Sequence, residues 1–160
     1  MDCSANAEVN VEALQPAVRL EYDIEADWQL LSRCNFSCEY CNAPEGRGRR
    51  PPDRRGTAAE WVRGFGATGR TWLLHLTGGE PGLHPELVEL CAGLTAAHYL
   101  SLNTNLSCPS LEEFAERIDP SRVHFINAAL HASSRPGPAA IDQFVERFRY
   151  VRSRGFLIFA

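Results

Sequence analysis

The chain has 160 residues, of which 44% are hydrophobic and 22% charged, and its formal net charge is −4 at pH 7. This length and composition are those of one globular domain rather than of a disordered or fibrous protein. The net negative charge argues against a nucleic-acid partner, because proteins that bind polyanions carry a positive field. No positively charged leader precedes an apolar run and no apolar stretch reaches about eighteen residues, so we predict no membrane association and a cytoplasmic location.

Apolar runs bounded by glycine, proline and polar residues predict five strands. Most of these runs are continuously apolar rather than alternating, which is typical of strands in a parallel sheet that helices cover. The predicted strands cover residues 27–32, 71–77, 99–105, 122–130 and 155–160.

Amphipathic segments between the strands predict four helices. Thr57 is followed three residues later by Glu60, and Ser110 in the same way by Glu113, so we predict a capping box at the start of two of these helices. The apolar face of the helix between them consists of Leu87, Leu90, Cys91 and Leu94. Cys91 on this face is expected to be a core thiol.

The alternation of strands and helices with short connections predicts the α/β class with a parallel sheet. Right-handed crossovers place every loop that follows a strand on the same rim of such a sheet. The segments "CNFSCEYC", "GGEP", "NTNLSC" and "LHASSRPGP" each follow a predicted strand. We therefore expect these four polar segments to meet at one edge.

The segment "CNFSCEYC" at 34–41 holds three of the six cysteines. A loop of this length can turn all three sulfurs toward one metal centre, and a four-iron cluster held by three thiolates leaves one iron open for another ligand. A zinc site would need a fourth ligand, for which Cys108 or a histidine is available. Cys38 and Cys41 also form a C-x-x-C pair, which in an α/β protein can be a thioredoxin-like redox site.

The cysteine loop after the first strand and "GGEP" after the second together resemble the radical S-adenosylmethionine (radical SAM) enzymes, over about residues 26–159. The resemblance implies an incomplete parallel (β/α) barrel of the radical SAM type, with about four to five strands present. It also implies a partial radical SAM core over 26–160, preceded by an N-terminal extension over 1–25. Cys34, Cys38 and Cys41 would then each bind one iron of a 4Fe-4S cluster.

The same resemblance implies an S-adenosyl-L-methionine site. Tyr40 occupies the aromatic position that lies against the adenine. The turn from Gly78 to Pro81 would hold the methionine amino group through the backbone of Gly78 and Gly79, with support from Glu80, and glycine would let the backbone approach the ligand closely. Asn105, in a third-strand motif with Leu106 in place of a glycine, and His131 are further candidate cofactor contacts.

The implied activity is reductive cleavage of S-adenosyl-L-methionine to a 5′-deoxyadenosyl radical, which abstracts hydrogen from an unknown substrate. Such an enzyme needs an external electron donor of the flavodoxin or ferredoxin type. An unfinished sheet has an open edge, which a partner chain could complete. Two alternatives remain at this point: a non-catalytic cluster or cofactor module that works through a partner, and a zinc-stabilised α/β interaction domain. The arginine-rich loop at 46–55 is interpreted either as a solvated segment or as a lid that grips an anionic group or a leader peptide.

Overall fold

The computed structural model of the protein describes residues 20–41 and 56–160. In these residues five strands form one sheet in the order β1-β2-β3-β4-β5, and every neighbouring pair is parallel. The elements in chain order are β1 (Ile24–Leu31), α1 (Ala58–Gly66), β2 (Trp72–Gly78), α2 (Leu87–Thr95), β3 (Tyr99–Thr104), α3 (Ser110–Arg117), β4 (Val123–Ala128), α4 (Pro138–Ser153) and β5 (Ile158–Phe159). The arginine-rich loop at 46–55 lies outside the described residues.

The sheet and its helices form part of a (β/α) barrel wall, as predicted. One face of the sheet packs against the helices in a single core. The largest fully buried side chains of this core include Leu74, Leu76, Leu100, Leu102 and Ile126 from the strands and Leu90, Leu94, Leu111 and Phe114 from the helices. Because side chains alternate along a strand, the residues between them face the opposite side, which in a barrel is the interior.

The predicted elements match the structure apart from their ends. β1 begins three residues before the predicted start at 27, and Ile24 and Glu25 pair with Trp72 and Leu73 of β2. These two residues therefore belong to the sheet, although the predicted N-terminal extension included them. Pairing with a distant strand decides where a strand begins, and the local sequence does not show it.

The two predicted capping boxes have different outcomes. At α1 the Thr57 hydroxyl accepts a hydrogen bond from the backbone N–H of Glu60, and the Glu60 carboxylate accepts one from the backbone N–H of Thr57. The predicted box at Ser110 is wrong, because α3 has Pro109 at its N-cap and no side chain caps it. Ser110 lies inside the helix and donates its hydroxyl proton to the carbonyl of Gly82 at 2.8 Å.

Cys91 is fully buried in the core, as predicted, and burial raises the pKa of its thiol. Among the described residues no helix is both long and apolar enough to span a bilayer.

Candidate functional site

A cavity of about 340 Å³ opens at the carboxyl ends of β1 to β4. Its wall comes from the segments that follow these strands, which are the loops predicted to meet at one rim. All the predicted site residues except Pro81 line it: Cys34, Cys38, Tyr40, Cys41, Gly78, Gly79, Glu80, Asn105 and His131. Pro81 is buried and begins the short 3-10 helix Pro81–Leu83.

The three cysteines of the loop are free thiols with different exposure. Cys34 and Cys38 are half-buried, whereas Cys41 is exposed. The sulfur of Cys34 accepts a hydrogen bond from the backbone N–H of Phe36 at 3.4 Å, and burial raises the pKa of this thiol. The sulfur of Cys38 accepts one from the Ser134 hydroxyl at 3.1 Å. Two of the three sulfurs thus already receive protein donors, which suits the acceptor character of thiolates.

The arrangement of the sulfurs bears on which metal centre fits. Within the described ranges no group of three or more His, Cys, Asp or Glu side chains is placed to hold one metal ion. Cys108, the proposed fourth zinc ligand, is buried and does not line the cavity. The zinc interpretation therefore gains no support from this part of the chain. A 4Fe-4S cluster binds each thiolate on a different iron, so its ligand sulfurs lie further apart than the ligands of a single zinc ion.

The Gly78–Gly79 turn packs directly against the start of the cysteine loop. A β-bulge in β1 lets Leu31 pair with Gly78, and the N–H of Gly79 donates to the Leu31 carbonyl at 2.8 Å. A Cβ on Gly79 would lie 2.0 Å from the carbonyl oxygen of Arg33, and one on Gly78 would lie 2.2 Å from that of Leu31. Gly78 also has a φ of 123°, which other residues rarely adopt. The position that a Cβ would occupy at each of these glycines faces protein backbone, so the close approach of the cysteine loop already requires glycine at both positions.

Glu80 connects this turn to the end of β3. Its carboxylate is 1% exposed and accepts hydrogen bonds from the N–H of Gly82 (2.9 Å), the Thr104 hydroxyl (2.6 Å) and the N–H of Asn105 (2.6 Å). Burial raises the pKa of this carboxyl, and the three donated hydrogen bonds oppose that rise. Both carboxylate oxygens are engaged by the protein, so Glu80 holds the turn and the end of β3 in one position.

Asn105 links β3 to the cysteine loop. Its side-chain NH₂ donates to Asn35 at 3.0 Å and lies 3.9 Å from the sulfur of Cys34, while its side-chain oxygen Oδ1 accepts a hydrogen bond from the backbone N–H of Ser107. Leu106, which follows it, has a φ of 55° and is fully buried. A leucine therefore occupies a left-handed conformation here, where glycine would be free of strain.

Tyr40 and His131 form one rim of the cavity. Their rings stack with centroids 5.8 Å apart, and the Tyr40 hydroxyl forms a hydrogen bond with Nδ1 of His131. Burial lowers the pKa of His131, and the nearby Arg135 lowers it further. This contact brings the end of the cysteine loop to the segment after β4.

Three polar side chains that were not predicted as site residues also hold the site together: Asn35, Ser134 and Arg135. Arg135 is 9% exposed, and its guanidinium donates to the carbonyls of Leu130, Ala140 and Asn105. A serine and an arginine in a loop rich in glycine and proline carry no sequence signal of such contacts. His75 lies in β2, and its ring forms hydrogen bonds with Ser101 and Glu25.

Comparison with known proteins identifies the family. The sequence model of the Radical SAM superfamily matches residues 28–159, so the chain belongs to the radical SAM superfamily, and the assignment by resemblance is confirmed. The PqqA peptide cyclase of Ruegeria pomeroyi is 34% identical over 96 residues, which are 57% of this chain and 24% of that protein. The GTP 3',8-cyclase of Microcystis aeruginosa is 35% identical over 108 residues, 63% of this chain and 32% of that protein. A probable GTP 3',8-cyclase of Saccharolobus solfataricus is 29% identical over 126 residues, 73% of this chain and 40% of that protein.

Two solved structures share the fold. SuiB of Streptococcus suis, solved with its precursor peptide SuiA, has a TM-score of 0.58 at 16% identity, over 84% of this chain and 31% of that one. The enzyme anSMEcpe, solved with bound AdoMet, has a TM-score of 0.55 at 15% identity, over 84% of this chain and 42% of that one. The chain thus spans between a quarter and two fifths of the length of these curated relatives.

Proposed function

We propose that this chain is the part of a radical SAM enzyme that binds a 4Fe-4S cluster and S-adenosyl-L-methionine. The observation that carries the proposal is one cavity lined jointly by the three cysteines, the Gly78–Glu80 turn, Asn105 and His131. Membership of the superfamily supports radical chemistry that depends on S-adenosylmethionine. The fold is shared with an enzyme that was solved with this cofactor bound.

Cys34, Cys38 and Cys41 would hold the cluster through one sulfur each. The Phe36 N–H and the Ser134 hydroxyl donate hydrogen bonds to the sulfurs of Cys34 and Cys38. A cluster held there would supply one electron, received from an external flavodoxin-type or ferredoxin-type donor, to the sulfonium of S-adenosylmethionine. Its carbon–sulfur bond would then break to give methionine and a 5′-deoxyadenosyl radical, which would abstract hydrogen from the substrate.

The remaining cavity residues would orient the cofactor. Tyr40 and His131, on one rim, would contact the adenosine, and the turn from Gly78 to Pro81 would receive the methionine end through its backbone. Glu80 would act by fixing that turn, since its own oxygens are taken by three protein donors. Asn105 would hold the cysteine loop against β3 and contact the cofactor beside Cys34.

Anaerobic reconstitution tests this function. We expect about four iron and four sulfide ions per chain, a broad brown absorbance, and release of 5′-deoxyadenosine when dithionite and S-adenosylmethionine are added. Cys38→Ala should lose the cluster. Cys108→Ala, which changes a thiol outside the cavity lining, should retain it.

Other outcomes would point to the alternatives. A cluster that forms without cofactor cleavage would indicate a non-catalytic module, or a chain that needs the remainder of the barrel from a continuation or partner. Uptake of zinc with no cluster would contradict the proposal.

A further inference from the structure

Two consecutive residues after β4 reach across to the cysteine loop. The Ser134 hydroxyl donates to the sulfur of Cys38 at 3.1 Å, and the Arg135 guanidinium lies over the ring of Phe36, 5.3 Å from its centroid. We propose that these residues, which we call the 134–135 clamp, position the cysteine loop and that Ser134 sets the reduction potential of the cluster. This inference rests on the proposed function, because it concerns the cluster that Cys38 would hold.

Arg135 is the anchor of the clamp. Its guanidinium donates to the backbone carbonyls of Leu130, Ala140 and Asn105, which belong to the loop after β4, to α4 and to the end of β3. Phe144 of α4 provides a second aromatic contact, at 4.6 Å. A planar guanidinium with fixed donors, bound to three segments and in contact with two rings, has little freedom to move. Arg135 therefore fixes the position of the adjacent Ser134 backbone.

Ser134 contributes a directed hydrogen bond to a ligand sulfur. Reduction adds one negative charge to an iron-sulfur cluster, so a donor at a ligand sulfur stabilises the reduced state more than the oxidised state, and hydrogen bonds to the sulfurs are among the groups that set cluster potentials. Arg135 holds this donor in place, so it acts on the reduction potential only through Ser134. Arg135 is accordingly a positioning residue.

The test is a redox titration of the reconstituted protein with dithionite, followed by electron paramagnetic resonance of the reduced cluster. We expect Ser134→Ala to keep its iron content. Its equilibrium constant for one-electron reduction of the cluster should fall about tenfold, which makes the midpoint potential about 59 mV more negative. Ser134→Thr keeps the hydroxyl and should stay near the wild-type potential. Ser133→Ala removes an exposed hydroxyl at the adjacent position and should leave the potential unchanged.

Arg135→Lys separates positioning from charge. Lysine keeps the positive charge but lacks the planar fork that holds three carbonyls. If Arg135 positions Ser134, the cluster potential of Arg135→Lys should become more negative, as in Ser134→Ala. If Arg135 acts only through its charge, the potential should not change. If Arg135→Lys does not fold, the Ser134 variants still test whether the Ser134 hydroxyl sets the cluster potential.

The outcomes separate the two proposals. A wild-type protein that binds no cluster contradicts the proposed function and, with it, the clamp. A wild-type cluster whose potential is the same in Ser134→Ala as in Ser133→Ala overturns the clamp alone.

Discussion

Replacing Gly79 with alanine is expected to displace the cysteine loop. The new Cβ would lie 2.0 Å from the carbonyl oxygen of Arg33, 2.3 Å from its carbonyl carbon and 2.8 Å from the carbonyl oxygen of Ser32. All three contacts are with backbone, so no change of side-chain rotamer relieves them. The start of the loop must move by about 1 Å or more to reach an ordinary carbon–oxygen distance of about 3.3 Å.

The size of the destabilisation follows from the contacts that this movement breaks. Overpacking of this kind destabilises by about 1–3 kcal/mol. The hydrogen bonds from Gly79 to Leu31 and from Glu80 to Arg33, at 2.8 and 3.0 Å, would be weakened or lost, at about 1 kcal/mol each. We therefore expect Gly79→Ala to lower the free energy of unfolding by about 3–5 kcal/mol and to reduce cluster uptake, since Cys34 directly follows the displaced residue.

Urea denaturation followed by circular dichroism, together with iron analysis after reconstitution, measures both effects. Gly64→Ala is the matched control, because its Cβ would have nothing within 4 Å and it lies in α1. Alanine at that position should stabilise the protein by about 0.5–1 kcal/mol. An unchanged urea midpoint and unchanged iron content in Gly79→Ala would refute the reasoning.

Three further changes test other parts of the structure. Glu80→Gln puts an amide donor against groups that already donate, so we expect the free energy of unfolding in urea to fall by about 1–3 kcal/mol. Glu39→Gln, at an exposed position, should leave it unchanged. Burial lowers the pKa of His98, so the unfolded chain binds a proton before the folded one does; stability should fall as the pH drops from about 6.5 toward the lowered pKa. His98→Asn should flatten this slope in denaturation series at pH 7.5 and 5.5; a slope equal to that of the unsubstituted chain would contradict the assignment. Thr57→Ala should lower the thermal midpoint through loss of about 1 kcal/mol of helix capping, and Thr57→Ser should not.

The sequence alone determined the order of the elements and which loops meet at the site. Apolar runs and helical periodicity identify five strands and four helices because both patterns are local, and the capping box at Thr57 depends only on residues three apart. The parallel topology follows from that alternation, and it places the loops after the strands on one rim. The cysteine loop and the glycine turn were therefore identifiable, together with the cavity they share.

Tertiary structure decided which neighbours each of these residues meets. Gly79 must be a glycine because the backbone of Arg33 lies where a Cβ would be. Ser110 does not cap α3 as predicted but donates a hydrogen bond to the carbonyl of Gly82. In both cases the partner is distant in sequence. Arg135 and Ser134 become part of the site because the turn after β4 carries them to Phe36 and Cys38. Contacts of this kind depend on the packing of separate segments, whereas periodicity and spacing report only on a residue's near neighbours along the chain.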